Sequence, residues 1–317
     1  MKLLVHYDRP EGFLDLIRER HPALEVHCCR SYEALAGDLA AFGPEVMYGI
    51  KFEGRPYPRE AVLAQPTLKW VSVGGVGVDH LAPWDPARLQ VTNAAGVASD
   101  MMAQYVVAGV LALSLRLPQF LRRQAEHRWV PGEVASIAGK TLAVIGLGHT
   151  GRDVARRARA LGLRVLGLRA RPRPMEGVER VVGPEGLHEI LAEADFVSVS
   201  LPLTPQTRHA IDRAAIAAMK PGAVLVDVSR GGVVDGGALA EALAGGRLGG
   251  ALLDVFEQEP LPADSPFWDL ENVIVTPHSS AVYEGWESES ARMLCDNIER
   301  WQRGEPLENL VDPLRGY

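Results

Sequence analysis

The sequence has few cysteines, no excess of basic charge and no long uninterrupted apolar run. Three cysteines in 317 residues form neither a disulfide framework nor a metal-ligand pattern, so we expect a reducing, cytoplasmic location and no metal. The net charge of −7 argues against a nucleic-acid partner. The longest apolar stretch, residues 101–117, is interrupted by Gln104 and Arg116, which favours a buried helix over a membrane span. The first ten residues lack the apolar core of a signal peptide.

The sequence does contain two successive runs of alternating strand and helix patterns. Residues 1–97 alternate short apolar stretches, such as LLVHY and EVMYGI, with amphipathic ones, and the alternation restarts after Lys140 with TLAVIG. This β-α-β order predicts parallel sheets that are covered by helices on both faces. The later segment EGWESESARMLCDNIERWQRG has helical spacing and no following strand, so it is expected to bury its apolar face on the first domain.

We therefore predict an α/β protein with two Rossmann-like domains. A doubly wound nucleotide-binding domain of about six strands, residues 98–282, is expected to be inserted into a flavodoxin-like split domain. The split domain, which would bind the substrate, comprises residues 1–97 and 283–317. The chain is long enough for two domains with separate cores.

The segment GLGHTG completes the pattern G-x-G-x-x-G between an apolar strand and a helix. In that context the first glycine makes a tight turn, the second admits a pyrophosphate, and the third allows close packing of helix on strand. The N-terminus of the helix offers N–H groups to the phosphates. A glycine turn with a packing role alone is the alternative. The predicted dinucleotide contacts are Gly146, Gly148, His149, Thr150 and Gly151.

An arginine follows the second strand of this domain, where an NAD-binding domain usually has a carboxylate. Arg169 comes directly after VLGL, and Arg171 and Arg173 follow in the loop. A guanidinium pairs with phosphate through charge-assisted hydrogen bonds, whereas a carboxylate holds the ribose hydroxyls and repels a 2′-phosphate. Arg169 and Arg171 therefore favour NADP(H) as the cofactor. A solvated basic loop, with NAD(H) bound instead, is the alternative.

Three later strands are each followed by a charged or titratable side chain. Arg230 lies in VLVDVSRGGVVD, Glu259 in GALLDVFEQEP and His278 in VIVTPHSS. Ligands of parallel sheets bind beyond the carboxyl ends of the strands, so all three are expected at the edge that bears the glycine turn. Their coincidence at consecutive strand ends indicates one chemical site.

Over nearly its whole length the chain resembles the D-isomer-specific 2-hydroxyacid dehydrogenases, most closely the glyoxylate/hydroxypyruvate reductase branch. The resemblance rests on VSVGGVGVDHL, GKTLAVIGLGHTGRDVA, SLPLTPQTRHAI, MKPGAVLVDVSRGGVVD, LLDVFEQEP and NVIVTPHSS. It implies that Arg230, Glu259 and His278 are the family's catalytic residues. His278 would transfer the proton, Glu259 would orient the ring and favour its protonated form, and Arg230 would bind the substrate carboxylate and polarise the carbonyl.

The resemblance also implies further contacts. Backbone donors at Val76 and Gly77 would bind the substrate carboxylate, and Arg230 and His278 would also contact the substrate. The alternative is that Val76 and Gly77 only form a simple glycine-rich turn. Asp254 would contact the nicotinamide amide, unless it only caps its loop. Gln104 departs from the family pattern, which has an acid there. The other implied cofactor contacts are Leu201, Pro202, Thr207, Val228, Ser229, Arg230, His278 and Ser280.

The implied function is an NADP(H)-preferring reductase that interconverts a small 2-oxo acid and its D-2-hydroxy acid, with glyoxylate or hydroxypyruvate favoured. Glu259 favours this chemistry over that of formate dehydrogenases, which have Gln at the matching position. The expected partners are the small-molecule acid and a second copy of the chain, because the apolar helix at 101–115 exceeds what one domain easily covers. Two alternatives stay open: a short NAD-dependent D-3-phosphoglycerate dehydrogenase and a nucleotide-sensing, corepressor-like protein.

Overall fold

The computed structural model describes residues 1–52 and 56–313, which form two compact units. The first unit comprises Met1–Val97 with Tyr283–Tyr317, and the second comprises Ala98–Val282. Each unit contains one sheet, and within each sheet the paired strands are parallel. The predicted α/β fold class with two Rossmann-like sheets is confirmed.

The first unit is built on a five-stranded sheet. Its strands are β1 (Lys2–His6), β2 (Glu25–Cys29), β3 (Val46–Gly49), β4 (Trp70–Val73) and β5 (Gln90–Asn93). Their spatial order is β2-β1-β3-β4-β5, the doubly wound order of flavodoxin-like domains. The connecting helices are α1 (Glu11–Arg20), α2 (Leu35–Phe42) and α3 (Arg59–Ala64). Burial of both sheet faces explains why the strands read as continuous apolar runs.

The second unit begins with helices and continues with a larger sheet. The helices are α4 (Ser99–Ser114), α5 (Leu117–Ala125), α6 (His149–Ala160), α7 (Leu187–Glu193), α8 (Arg213–Ala218) and α9 (Gly236–Ala244). The strands are β6 (Thr141–Ile145), β7 (Arg164–Leu168), β8 (Arg180–Val182), β9 (Phe196–Val199), β10 (Val224–Asp227), β11 (Gly250–Leu253) and β12 (Val273–Val275).

The spatial order of this sheet is β12-β11-β10-β9-β6-β7-β8. The chain proceeds outward from β6 through β7 to β8 and then returns to the other side of β6 at β9. Such a reversal leaves a crevice at the carboxyl ends of the two central strands. Among the described residues the sheet has one strand more than the six predicted. The extra strand, β8, contains only two apolar residues, Val181 and Val182, which do not form a recognisable apolar run.

Helix α4 contains the long apolar segment of the sequence. It packs on α6 and on β10 and β11, so half of its residues are buried within the second unit. Among the described residues no single helix is long and apolar enough to cross a membrane. Among these residues, the helices α4 and α5 taken together are long and apolar enough, but a bend of 65° separates them.

The C-terminal helix α10 (Trp286–Arg303) packs against α1 in the first unit. Leu294 and Ile298 on its apolar face are fully buried. Arg20 at the end of α1 donates a hydrogen bond of 2.8 Å to Asp296. This packing provides the partner that an amphipathic helix without a following strand requires.

The glycine turn between β6 and α6 is shaped by backbone contacts. Gly146 has a φ of +108°, and a Cβ there would lie 2.7 Å from the carbonyl oxygen of Ser200. A Cβ at Gly151 would lie 2.0 Å from the carbonyl oxygen of Gly146. A Cβ at Gly148, by contrast, would have no such atom within 4 Å. The first and third glycines are therefore required by the fold, and the second leaves open space in front of the helix.

We expect Gly151→Ala to lower the free energy of unfolding by about 1–3 kcal/mol, because the methyl group must displace backbone of the turn. Gly148→Ala is the matched control and should change the unfolding temperature little, because its methyl group meets no atom of the chain. Thermal unfolding of the three proteins without ligand measures the difference. Equal unfolding temperatures for the two variants would contradict this account of the turn.

Candidate active site

Three of the predicted site residues follow consecutive strands of the second unit. Arg230 comes three residues after β10, Asp254 directly follows β11, and His278 comes three residues after β12. These strands are neighbours in one parallel sheet, so their carboxyl ends lie at the same edge. The sheet therefore places the three turns side by side.

The side chains of Glu259 and His278 form a hydrogen-bonded pair. Glu259 Oε2 lies 2.8 Å from His278 Nδ1, and both side chains are partly exposed, at 37% and 40%. The other carboxylate oxygen accepts the N–H of Phe256 at 2.9 Å. Burial raises the pKa of Glu259, but the bonds from His278 and Phe256 and the charge of Arg230 outweigh it, and the pKa lies below its usual value. Glu259 is therefore ionised at neutral pH and places a negative charge beside the imidazole.

The carboxylate of Asp254 organises the loop that contains His278. Asp254 is fully buried, and its Oδ1 accepts the hydroxyl of Thr276 at 2.7 Å and the N–H of Ser279 at 2.8 Å. Its Oδ2 accepts the N–H of Ser280 at 2.9 Å. The Asp254 carbonyl also accepts the N–H of His278, at 2.9 Å. Both carboxylate oxygens of Asp254 thus accept hydrogen bonds from the loop, so Asp254 caps the loop as the alternative interpretation expected. The predicted contact of Asp254 with nicotinamide stays a prediction.

His278 has a φ of +52°, in the left-handed region that a non-glycine residue seldom adopts. The cost of such a conformation is about 1–3 kcal/mol and must be met by the surrounding structure. The bonds from Asp254 to both sides of His278 provide that support. The unusual backbone conformation directs the imidazole to Glu259.

Sequence reasoning missed Tyr105 on α4, whose hydroxyl lies beside Thr276 and Asp254. Burial raises the pKa of Tyr105, and the charge of Asp254 acts in the same direction. No local pattern identifies such a residue, because it lies in another helix far along the chain from the loop it contacts.

The turn that contains Arg230 packs against the turn that contains Glu259. A Cβ on Gly231 would lie 1.9 Å from the carbonyl oxygen of Phe256, so the two backbones are in direct contact. Arg230 Nη1 donates to the carbonyl of Ser229 at 2.7 Å. Arg230 also contributes to the lowered pKa of Glu259. The guanidinium, carboxylate and imidazole are therefore electrostatically coupled in one place.

The crevice beside the glycine turn fits an anionic ligand. Gly148 is the N-cap of α6, and no side chain caps the N–H groups that follow it. An uncapped helix N-terminus beside open space is a favourable position for phosphate. Arg169 lies half-buried directly after β7, and Arg171 is exposed in the loop that follows. The residues present therefore fit a dinucleotide.

Two predicted cofactor residues at this turn have partners within the protein. His149 Nδ1 lies 3.3 Å from Arg152 Nη2, and burial and the charge of Arg152 lower the pKa of His149. The hydroxyl of Thr150 lies 3.7 Å from the sulfur of Met102 on α4. The predicted contacts of both residues with the cofactor stay predictions.

The remaining predicted cofactor residues of the second unit lie in turns after β9 and β10. The Thr207 hydroxyl donates to the carbonyl of Pro202 at 2.6 Å and closes the turn that includes Leu201. Val228 and Ser229 are buried. Their position at the carboxyl edge is compatible with the predicted contacts, which stay predictions.

The predicted substrate donors Val76 and Gly77 belong to the first unit. They lie in the loop after β4, at the carboxyl edge of that sheet, and Val76 is 40% exposed. Asn93 Nδ2 holds the loop by donating to the Val76 carbonyl at 2.8 Å. Within residues 1–52 and 56–313 no cluster of three or more His, Cys, Asp or Glu side chains has the arrangement of a metal site.

Comparison with known proteins identifies the family. The family model "D-isomer specific 2-hydroxyacid dehydrogenase, NAD binding domain" matches residues 107–280. The glyoxylate reductase of Korarchaeum cryptofilum is 37% identical over 81% of this chain and 80% of its own length. The D-3-phosphoglycerate dehydrogenase of Methanocaldococcus jannaschii is 36% identical over 82% of this chain, but the match spans only 50% of that longer protein.

Two solved structures agree over the whole chain. A D-isomer specific 2-hydroxyacid dehydrogenase from Xanthobacter autotrophicus Py2, in complex with NADPH and MES, has a TM-score of 0.85 and 35% identity, covering 99% of both chains. The NADPH-dependent glyoxylate/hydroxypyruvate reductase of Sinorhizobium meliloti has a TM-score of 0.84 and 29% identity, covering 100% of this chain and 99% of the other. This protein belongs to the D-isomer specific 2-hydroxyacid dehydrogenases, a family of NAD(P)-dependent oxidoreductases.

Proposed function

We propose that this protein is an NADPH-preferring reductase that converts a small 2-oxo acid, glyoxylate or hydroxypyruvate, to its D-2-hydroxy acid. This proposal depends on the distance of 2.8 Å between His278 Nδ1 and Glu259 Oε2. The charge of Arg230 also lowers the pKa of the same carboxylate. Reduction of a 2-oxo acid requires a proton donor at the carbonyl oxygen and a cation for the carboxylate, and these three residues supply both.

The roles of the three residues follow from their contacts. Glu259 occupies Nδ1 of His278, which leaves Nε2 to donate a proton to the carbonyl oxygen of the substrate. The ionised Glu259 stabilises the imidazolium before that transfer. Arg230 binds the substrate carboxylate and polarises the carbonyl. The nicotinamide, when bound, supplies the hydride.

The preference for NADPH is proposed from the charge at the end of β7. Arg169 lies half-buried where a carboxylate would hold the ribose hydroxyls of NAD, and Arg171 lies two residues beyond it. A guanidinium there attracts the 2′-phosphate that distinguishes NADPH. The complexes of the Xanthobacter and Sinorhizobium proteins with NADPH and NADP support this preference.

The other residues predicted from the sequence complete the proposal. The second unit, Ala98–Val282, would be the dinucleotide-binding domain, and the first unit would bind the substrate through Val76 and Gly77. Further cofactor contacts are proposed at the glycine turn and at Leu201, Pro202, Thr207, Val228, Ser229, Asp254 and Ser280. A cytoplasmic location is proposed from the low cysteine content.

A homodimer is proposed from an exposed apolar surface of the second unit. Half of the residues of α4 are buried within the second unit, and Leu115, which ends the predicted apolar helix, is 38% exposed. Exposed apolar side chains are concentrated in the following segment, where Trp129 is 97% exposed. A concentration of this kind is typical of a protein–protein interface. We call it the apolar patch: Leu115, Leu117, Leu121, Trp129, Val130 and Val134.

An NADPH-oxidation assay over glyoxylate, hydroxypyruvate, pyruvate and phosphohydroxypyruvate tests the proposed reaction. We expect turnover of glyoxylate or hydroxypyruvate, with a higher kcat/KM for NADPH than for NADH. Arg169→Asp should lower the NADPH/NADH selectivity by about 10- to 100-fold, because a charge-assisted pair with phosphate is lost. Arg159→Asp, the same charge change at the far end of α6, should leave the selectivity unchanged.

Three results of this assay would contradict the proposal. An NADH preference that Arg169→Asp does not alter would disprove the cofactor assignment. A preference for phosphohydroxypyruvate with NADH would favour the D-3-phosphoglycerate dehydrogenase alternative, for which sequence relatives exist. Absence of turnover on all four acids would refute the substrate class.

Glu259→Gln tests the proton-transfer pair. The amide can still contact His278 but no longer places a negative charge beside the imidazole, so we expect kcat for reduction to fall about 10-fold or more. Glu257→Gln is the control, because Glu257 lies two residues from Glu259 and its carboxylate contacts His209, at 3.1 Å, rather than His278. A kcat of Glu259→Gln equal to that of the wild type would exclude the proposed role.

The apolar patch can be tested by sedimentation velocity. Wild type should sediment with twice the mass of the 34.4 kDa chain. Leu121→Glu, which introduces a charge at the patch, should shift the population towards the monomer. Leu161→Glu is the control, because Leu161 is 40% exposed and lies outside the patch. A wild-type monomer, or a dimer equally stable in both variants, would rule out this interface.

A further inference from the structure

A buried carboxyl at the end of β10 has no part in the mechanism proposed above. Asp227 is only 3% exposed, and its Oδ1 accepts the N–H of Ser229 at 2.9 Å and the Ser229 hydroxyl at 2.5 Å. The Ser229 carbonyl in turn accepts Arg230 Nη1 at 2.7 Å. A continuous series of hydrogen bonds thus connects the end of the strand to the guanidinium.

We propose that Asp227 is a positioning residue that holds the Ser229–Arg230 turn, and through it the guanidinium of Arg230, in the orientation that binds the substrate carboxylate. This inference rests on the proposed function, because it assigns Asp227 to the same site. Asp227 itself need not touch the substrate or the cofactor.

The packing around the turn explains why such an anchor is needed. Gly231 is in backbone contact with Phe256, so the turn cannot move towards the loop of Glu259. A cavity of about 210 Å³ adjoins these residues, and its lining includes Asp227, Gly231 and Glu257. A turn beside empty space requires polar bonds to fix its position, and the two bonds to Asp227 provide them.

The charges near Asp227 decide which substitutions are informative. Burial raises the pKa of Asp227 to about 7, and the charge of Asp254, directly after β11, adds to this, while bonds from Ser229 and the charge of Arg230 oppose it. Both the neutral and the ionised carboxyl are therefore populated near neutral pH. Either form offers an oxygen acceptor, so an asparagine at this position can keep the bond to the Ser229 N–H.

The kinetic test compares Asp227→Ala with Asp227→Asn on the 2-oxo acid that the wild type reduces fastest. We expect Asp227→Ala to raise KM for the 2-oxo acid about 10-fold and KM for NADPH by a smaller factor, because the released turn presents the guanidinium to the acid but supplies only the two proposed cofactor contacts of Val228 and Ser229. Asp227→Asn should restore KM for the acid to within about threefold of wild type. Asp235→Ala is the matched control, because Asp235 also accepts a backbone N–H, that of Ala238 at 3.0 Å, at the start of α9.

Hydrogen–deuterium exchange of the segment 224–234 gives a readout that does not depend on turnover. The amides around Ser229 should exchange faster in Asp227→Ala than in wild type or Asp227→Asn. Should the wild type reduce no 2-oxo acid, the proposed function fails, and this measurement alone decides whether Asp227 holds the turn. If Asp227→Ala does not fold, Ser229→Ala replaces it and should raise KM for the acid about threefold.

Three results would overturn the proposal. The first is equal protection of the segment in wild type and Asp227→Ala. The second is a similar rise in KM for NADPH and for the acid, which would indicate a general structural role. The third is failure of Asp227→Asn to restore KM, which would show that the acceptor oxygen is not the relevant feature.

Discussion

The carboxylate of Asp254 is the constraint on which the candidate active site depends. It is fully buried and accepts three hydrogen bonds from the loop after β12, while its own carbonyl accepts the N–H of His278. A buried carboxylate that loses such donors faces a large desolvation cost, so the loop and the aspartate stabilise each other. This mutual dependence allows His278 to keep a left-handed backbone conformation and to face Glu259.

The same physical device recurs around the site. Polar groups at strand ends hold the neighbouring turns, and glycines allow those turns to touch. Asp227 holds the turn that contains Arg230, and Gly231 brings that turn against the loop of Glu259. The side chains proposed to react, Glu259 and His278, remain partly exposed, as contact with a substrate requires. Rigidity therefore comes from buried carboxylates below the surface, and chemistry from the side chains above them.

Much of this arrangement follows from the sequence because parallel sheets deliver strand ends to one edge. The order of apolar strands, the glycine turn and the residues after each strand were sufficient to predict the fold class and to indicate a common site. The strand β8 was missed because it contains only two apolar residues, Val181 and Val182, next to Arg180. Whether Asp254 faces its loop or the cofactor could not be inferred, because an aspartate after a buried strand is compatible with both.

The contacts of Thr150 with Met102 and of Tyr105 with Asp254 depend on how α4 packs, which local sequence does not encode.

A crystal structure of the protein with NADPH and oxamate, an unreactive analogue of a 2-oxo acid, would test the central claim most directly. The account predicts that the oxamate carboxylate contacts the guanidinium of Arg230 and that its carbonyl oxygen lies within hydrogen-bond distance of His278 Nε2, with Glu259 still on Nδ1. Oxamate bound away from Arg230, or an imidazole turned away from both Glu259 and the ligand, would contradict it.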